Sequence, residues 1–350
     1  MKKIIYKLVS FALAISLLTP TLSASAYKGR SDVKISSRFY EMLFGEKEET
    51  AKTLTVGGRV FGAKIDCEYV TIVEAKGVPK LRAGDIIISV GGKNVSSAEE
   101  VQKIVRESKG APLTIVAKRG DTEIVTEATP TLSCSEYKIG LKLKDNATGI
   151  GTVTFIDKKT GVFGGLGHGI CDTESGALIK TDGGVVTSVL LGGVHRGEVG
   201  KPGELVGVLT GKTVGKITAN TECGVFGILD TSLVSGGEEY EVAKSDAVHT
   251  GKAEIICTVK NGDSRKYSIE ITEIENKGSP TKSFKIKVTD DTLIALTGGI
   301  VRGLSGSPII QNGKLVGAVT HVLINDPTTG YGIFIENMLN AAQMPMAKAS

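Results

Sequence analysis

Residues 131–350 consist of short runs rich in β-branched residues, separated by glycine-rich turns, with no long stretch of helical periodicity. The runs at 151–156, 187–191, 253–259, 283–288 and 315–320 read as strands, and Asn261-Gly262 and Asn312-Gly313 are two-residue hairpin signals. Many short strands without long helices restrict this part of the chain to an all-β barrel or sandwich. A length of 350 residues, 41% of them hydrophobic, leaves room for two or three domains with cores of their own.

The N-terminus carries a different signal. Lys2, Lys3 and Lys7 precede an apolar run at 8–18, Pro20 ends it, and Ala24-Ser25-Ala26 has the small-x-small form of a signal-peptidase site. A run this short does not cross a bilayer, which takes about 20 residues. Residues 1–26 therefore read as a signal peptide, the alternative being an uncleaved anchor that runs back to Ile4, and both place the body of the protein outside the cytoplasm. Residues 27–53 are polar and charged and read as a tether with one short helix at 38–44. Removal of the three lysines with residues 1–26 lowers the formal net charge from +4 to +1. That removes the electrostatic basis for nucleic-acid binding. Five cysteines, irregularly spaced, do not make a disulfide framework. Cys171 follows His168 closely, but no second ligand pair accompanies it, so neither metal nor cofactor is expected.

Residues 54–130 change character. Short strands at 60–65 and 69–73 are followed by "LRAGDIIISVGG", a strand ending in a Gly91-Gly92 turn. Ser96 or Ser97 then caps a helix whose apolar positions, Val101, Ile104 and Val105, fall at helical spacing, and a last strand covers 113–117. This segment resembles a PDZ domain, which takes an extended peptide in a groove between a strand and a helix. The loop at 56–65, with Val60, Phe61 and Gly62, is the expected source of donors to the peptide carboxylate. The hydrophobic tetrapeptide loop usual in that family is not evident. A spacer with no ligand is the other reading of this domain.

Two glycine-rich stretches carry the chemistry. In Gly303-Leu304-Ser305-Gly306-Ser307-Pro308 a tight turn exposes the Ser305 hydroxyl and aims the backbone N–H groups of Gly303 and Ser305 at one point. A serine hydroxyl needs a base to take its proton, and the oxyanion that forms needs fixed donors. The stretch resembles the nucleophile loop of chymotrypsin-like peptidases. In Gly164-Gly165-Leu166-Gly167-His168-Gly169, a histidine among glycines has little side chain around it to bury it, which favours His168 as the base. His195, His249 and His321 are its rivals. His321 ends the strand after the nucleophile, where Thr320, His321, Tyr331 and Gly332 are expected to meet substrate. Candidate orienting acids are Asp290, Asp291 and Asp230.

The stretches "GIGTVTFIDKKTGVFGGLGHGICD" and "TGGIVRGLSGSPIIQNGKLVGAVTHVLINDPTTGYGIFIENML", with the preceding PDZ-like segment, resemble the SpoIVB peptidase family of endospore-forming bacteria. The resemblance implies a mainly β chain with a PDZ-like domain at 54–130, followed by a chymotrypsin-like double β-barrel peptidase domain at 131–350. It also implies a catalytic set matching His168, Asp290 and Ser305, and self-processing. The implied place of action is the space between the forespore membranes. There the family cleaves a membrane-bound inhibitor, and so releases an intramembrane protease that activates a late sigma factor. Leu304 stands where many chymotrypsin-like enzymes have the aspartate that pairs with a freed N-terminus, which excludes that route of activation. A catalytically silent PDZ scaffold that recruits a membrane partner is the competing reading.

Overall fold

The computed structural model describes residues 52–346 except 173–175, 182, 231–236, 261, 263 and 276–278. The signal segment at 1–26, the tether up to residue 51 with its expected helix, and Asn261 of one hairpin turn lie outside the described residues.

Strand β1 (Thr53–Val56) is followed by β2 (Val60–Ala75), whose alternation changes phase along its length. Phe61, Ala63 and Ile65 are buried in the first half, Val70 and Ile72 in the second. Because the side-chain period of a strand is two, this change of phase turns the two halves toward different cores. The register shift between Asp66 and Thr71 marks the place. The first half packs with Phe163, Val186 and Val225, the second with Val78, Leu81, Ile87 and Ile115.

The second core belongs to the PDZ domain. It is built from β3 (Ile86–Val90), β4 (Lys93–Asn94), helix α1 (Ala98–Glu107), β5 (Leu113–Arg119), β6 (Thr122–Ala128), β7 (Thr131–Ser133) and β8 (Glu136–Lys138). The Ser97 hydroxyl caps α1 by accepting from the Glu100 N–H at 3.2 Å, while the Glu100 carboxylate accepts from the Ser96 N–H, so two orphan donors are satisfied reciprocally. Asp85 of the Gly-Asp turn is sealed from solvent. Its carboxylate accepts from both Nε (2.7 Å) and Nη2 (2.8 Å) of Arg119 and from the Arg82 N–H. The Arg119 guanidinium holds the carboxyl of Asp85 below the usual carboxylate range, against the opposing effect of burial.

Strand β9 (Leu141–Ile156) then returns along β2: Leu141 to Lys144 pair with Thr71 to Ala75, and Asn146 to Thr152 pair with Val60 to Asp66. The two long strands form one ribbon that runs from the PDZ core into the peptidase. The PDZ domain is thus inserted in a hairpin of the first barrel. Against the expected division at 54–130 and 131–350, Phe61, Ala63 and Ile65 pack in the core of that barrel, while Tyr137, Ile139, Leu141 and Leu143 pack in the PDZ core. A linear reading misses this, because the pairing that closes the barrel joins segments on opposite sides of the insert.

The first barrel adds β10 (Val162–Gly165), β11 (Gly183–His195), β12 (Glu204–Thr221) and β13 (Gly224–Leu229). Among the described residues these four close a ring with β2 and β9. Strand β14 (Glu239–Val242) links the barrels, running antiparallel to β1 and parallel to β19 of the second barrel (Lys314–Leu323). The rest of the second barrel is β15 (Gly251–Cys257), β16 (Arg265–Ile274), β17 (Phe284–Val288), helix α2 (Asp291–Thr297), β18 (Pro308–Gln311) and β20 (Asp326–Phe334). Its ring runs β15, β16, β17, β20, β19, β18 and back to β15. Helix α3 (Ile335–Met346) follows β20, with Ile335, Met338, Ala341 and Ala342 buried. The mainly β, double-barrel class is the one the sequence predicts.

Candidate active site

Ser305 sits on the loop between α2 and β18. Helix α2 ends at Gly298 in the left-handed conformation (φ 77°), and the loop after it is pinned by Ile300, Val301 and Leu304, all buried in the second barrel. Leu304 points inward at the position before the nucleophile, so Ser305 is turned outward and is half-buried. Its Oγ donates to the Thr320 carbonyl at 2.8 Å. The Gly306 N–H donates to the Val319 carbonyl at 2.7 Å, and both the N–H and the hydroxyl of Ser307 donate to the Leu304 carbonyl.

These bonds fix two backbone donors. The Leu205 N–H holds the Arg302 carbonyl at 2.8 Å, and Ser307 holds that of Leu304. In a trans peptide the following N–H points the opposite way. The N–H groups of Gly303 and Ser305 are thereby aimed, and neither donates a hydrogen bond among the described residues.

His168 follows β10 on a turn in which Leu166 (φ 66°) and Gly167 (φ 68°) are both left-handed. Leucine pays about 1–2 kcal/mol for that conformation, and its buried side chain in the first barrel holds it there. Gly167 backs onto the Thr320 methyl and Ile333, where a β-carbon would stand 3.0 Å and 3.2 Å from their methyl carbons. The His168 loop and the strand behind Ser305 therefore touch. The rings of His168 and His321 have centroids 5.2 Å apart. Contrary to expectation, His168 is partly buried.

Nδ1 of His168 lies 2.9 Å from the carbonyl of Gly169. Donation from Nδ1–H to that carbonyl leaves the Nε2 lone pair free to take a proton. Burial lowers the pKa of His168, opposed by the Gly169 carbonyl. His321 is pushed down to about 4 by burial of its ring, then by His168 and the Lys282 ammonium. A general base must be neutral, and a lowered pKa extends its neutral form to more acid solution. The acid limb of kcat/KM is expected below pH 6.5, the ordinary histidine value. A limb above that value in a pH profile would contradict the geometry. The unfolded chain takes up these protons near pH 6.5 and the folded chain only below it, so acidification through that interval lowers stability.

Asp290 makes other contacts in this structure. Its Oδ1 accepts from the Leu293 N–H at 3.0 Å and its Oδ2 from the Ser268 N–H at 3.3 Å, which makes it the N-cap of α2. No carboxylate is among the groups that shift His168. The orienting contact to Nδ1 is the Gly169 carbonyl. Asp291 is exposed in the first turn of α2, and Asp230 follows β13. Asp290→Asn keeps one side-chain oxygen for the Leu293 N–H and loses the acceptor to the Ser268 N–H, so it is expected to lower Tm by the equivalent of about 1 kcal/mol, and to leave the pH profile of kcat/KM in place. Loss of turnover by orders of magnitude at unchanged Tm would return the carboxylate to His168.

Other expected residues divide. Thr320 acts through its carbonyl, since its hydroxyl is bonded to the carbonyls of Thr281 and Tyr331. His321 pairs across the ladder with Tyr331, over which the Lys282 ammonium sits at 5.2 Å. Gly332 is buried against the Phe284 ring and does not line the site. His195 lies beside Glu204, and His249 between the Thr250 carbonyl and Asn312. Val60, Phe61 and Gly62 form no peptide groove: they are barrel residues, with Phe61 edge-on to Phe163 at 5.8 Å. A cavity of about 720 Å³ beside them includes Val153, Leu229 and Asp230 but neither Ser305 nor His168. On the PDZ domain a cavity of about 420 Å³ lies between α1 and residues 136–143, lined by Val101, Val105, Tyr137, Ile139 and Leu141. Two contacts from β9 were missed altogether: the Thr152 hydroxyl donates to the Gly303 carbonyl at 2.8 Å and that of Thr154 to the Gly306 carbonyl at 2.7 Å.

The profile of the SpoIVB peptidase S55 family matches residues 135–339, more than half of the chain, and a PDZ profile matches 80–119. Comparison with curated proteins gives no match. Among solved structures, the chain is similar to the PDZ domain of the SdrC-like protein from Listeria monocytogenes, at 26% identity over 22% of this chain and 90% of that one (TM-score 0.21). It is also similar to the active form of the Rv3671c protease from M. tuberculosis, at 14% identity over 55% and 72% of the two chains (TM-score 0.33). The thermostable serine protease AL20, from an extremophilic microorganism, is 11% identical over 56% and 92% (TM-score 0.33). With its glycine-flanked serine and its histidine brought together on two barrels, this chain belongs to the SpoIVB peptidase S55 family and is a serine endopeptidase.

Proposed function

We propose that Ser305 is the nucleophile, His168 its general base, and the N–H groups of Gly303 and Ser305 the oxyanion donors, acting on an extended segment of a membrane-bound regulatory protein. The convergence of the Ser305 loop, the His168 loop and Thr320 at one point carries this reading. In the reaction the Ser305 hydroxyl turns from the Thr320 carbonyl to Nε2 of His168 and attacks the scissile carbonyl. His168 takes the proton and passes it to the leaving amine, and water then releases the acyl group by the reverse sequence. Beyond Val319 the strand β19 is bonded on the β20 side, which supports substrate pairing along its other edge at Thr320 and His321. The PDZ groove recruits the substrate in the same extended form.

Family membership supports a role in sporulation, and the Lys-rich, apolar, Ala-Ser-Ala segment supports export. The proposed place of action is the space between the forespore membranes, where cleavage releases an intramembrane protease that activates a late sigma factor. The tether at 27–53 is proposed to be cut by the enzyme itself. Fluorophosphonate labelling at Ser305 tests the chemistry, and a folded but unlabelled protein would favour the scaffold. Full-length protein and its Ser305→Ala form, expressed in one exporting host, test self-processing. Wild type is expected to begin between Tyr27 and Leu54 at sites the variant lacks, and matching N-termini at Tyr27 would overturn it.

A further inference from the structure

Thr152 is fully buried on β9, with Phe61, Val153 and Leu166 in the core around it. Every polar group it has is committed to the two loops of the site. Its N–H donates to the Ser305 carbonyl at 2.9 Å, its hydroxyl donates to the Gly303 carbonyl, and its own carbonyl accepts from the Leu166 N–H at 3.2 Å. The N–H and carbonyl contacts belong to any residue there. Only the hydroxyl depends on the side chain, and valine would fill the same volume without a buried polar atom to satisfy.

What the hydroxyl adds is a hold on Gly303. That residue has φ 98° and no side chain to lock it, and its carbonyl lies between the two N–H groups assigned to the oxyanion. We infer that Thr152 is a positioning residue for peptide hydrolysis: its hydroxyl fixes the Gly303 carbonyl and so keeps the Gly303 and Ser305 N–H groups aimed at the reacting oxygen. Thr152 touches no substrate and acts through the loop. The inference rests on Ser305 being the nucleophile. Complete loss of one oxyanion donor costs about 10²–10³ in rate. A donor moved off its line by a fraction of that geometry costs less, on the order of 10–100-fold.

The test compares full-length wild type, Thr152→Val and Thr152→Ser by the rate of fluorophosphonate labelling, since the phosphonyl oxygen occupies the place of the oxyanion. Thr152→Val is expected to lower the saturating labelling rate about 10–100-fold and to leave the half-saturating probe concentration within about threefold. Thr152→Ser, which keeps the hydroxyl and loses the methyl, is expected to return to within about threefold of wild type. Should Thr152→Val fail to fold, Thr152→Ala takes its place with the same expectation. Wild-type labelling in the valine variant, or a serine variant slower than the valine one, would overturn the role and leave the methyl packing as the reason for threonine. Failure of the parent reading looks different: wild type itself would go unlabelled, or carry the probe on a residue other than Ser305.

Discussion

Ser305→Ala is expected to leave a folded protein whose turnover has fallen about a million-fold, and His168→Ala to do the same. Nucleophile and base act as one unit, so the double variant should be no slower than either single one. The fold should survive because the lost contacts are small. Ser305 is half-buried and its hydroxyl gives one hydrogen bond, to the Thr320 carbonyl, worth about 1 kcal/mol. Ser307→Ala is the control within the same loop: its hydroxyl is buried, and the Leu304 carbonyl it supports keeps the Ser307 N–H as a donor at 3.0 Å, so the Ser305 N–H stays aimed. A loss of about 1–2 kcal/mol in stability with most of the turnover kept is expected there. Single-turnover rates and thermal unfolding measured side by side decide it. An inactive Ser307→Ala beside an active Ser305→Ala would move the nucleophile.

Gly306→Ala should fail for a different reason. A β-carbon on Gly306 would stand 2.1 Å from the Thr152 carbonyl oxygen and 2.4 Å from the Leu166 nitrogen, and the residue has φ 93°. Both obstacles are backbone. The first belongs to the middle of β9, paired on both sides, and the second to the turn that presents His168, so neither can withdraw without opening the first barrel. We expect a loss of about 3 kcal/mol or more in stability, and a turnover down at least about 100-fold at temperatures where the variant is still folded. Gly313→Ala is the comparison: it shares a positive φ (74°) but meets no atom within 4 Å, so it should cost only about 1–2 kcal/mol. Equal unfolding midpoints for the two variants would show that the contact at Gly306 is not the constraint.

What the sequence revealed of this site is what is local. The Ser305 loop and the His168 turn are each written within a few residues, because a tight turn needs its glycines beside the group it exposes. The PDZ core was legible for the same reason: the buried Asp85 of the Gly-Asp turn and the period of Val101 and Val105 are short-range patterns. The insertion was not, since it depends on Val60 pairing with Thr152 across the whole PDZ domain. Its trace in the sequence was the change of phase between Ile65 and Val70, which looks like an ordinary break between strands. Asp290 was placed by resemblance; its position just before the turn of helix at 291–297 is also that of an N-cap, the part it plays in this structure. Thr152 and Thr154 sit in a run of good strand formers, where nothing in the spacing separates a hydroxyl that holds a loop from one that merely favours a strand.

The ribbon of β2 and β9 also bears on the order in which the chain acquires its structure. The half of β2 that belongs to the first barrel is synthesised before the PDZ domain, and its partner on β9 only after it. Until the insert has collapsed, bringing those halves together closes a long loop, and each doubling of loop length adds about 0.6 kcal/mol of entropy. A folded insert holds Thr71 to Ala75 against Leu141 to Lys144, so the ends that must meet are already side by side and the barrel halves need only zip onward from them. A folded insert thus shortens the loop that the barrel strands have to close, and a chain whose insert folds slowly would expose the unpaired edge of β2 to other chains.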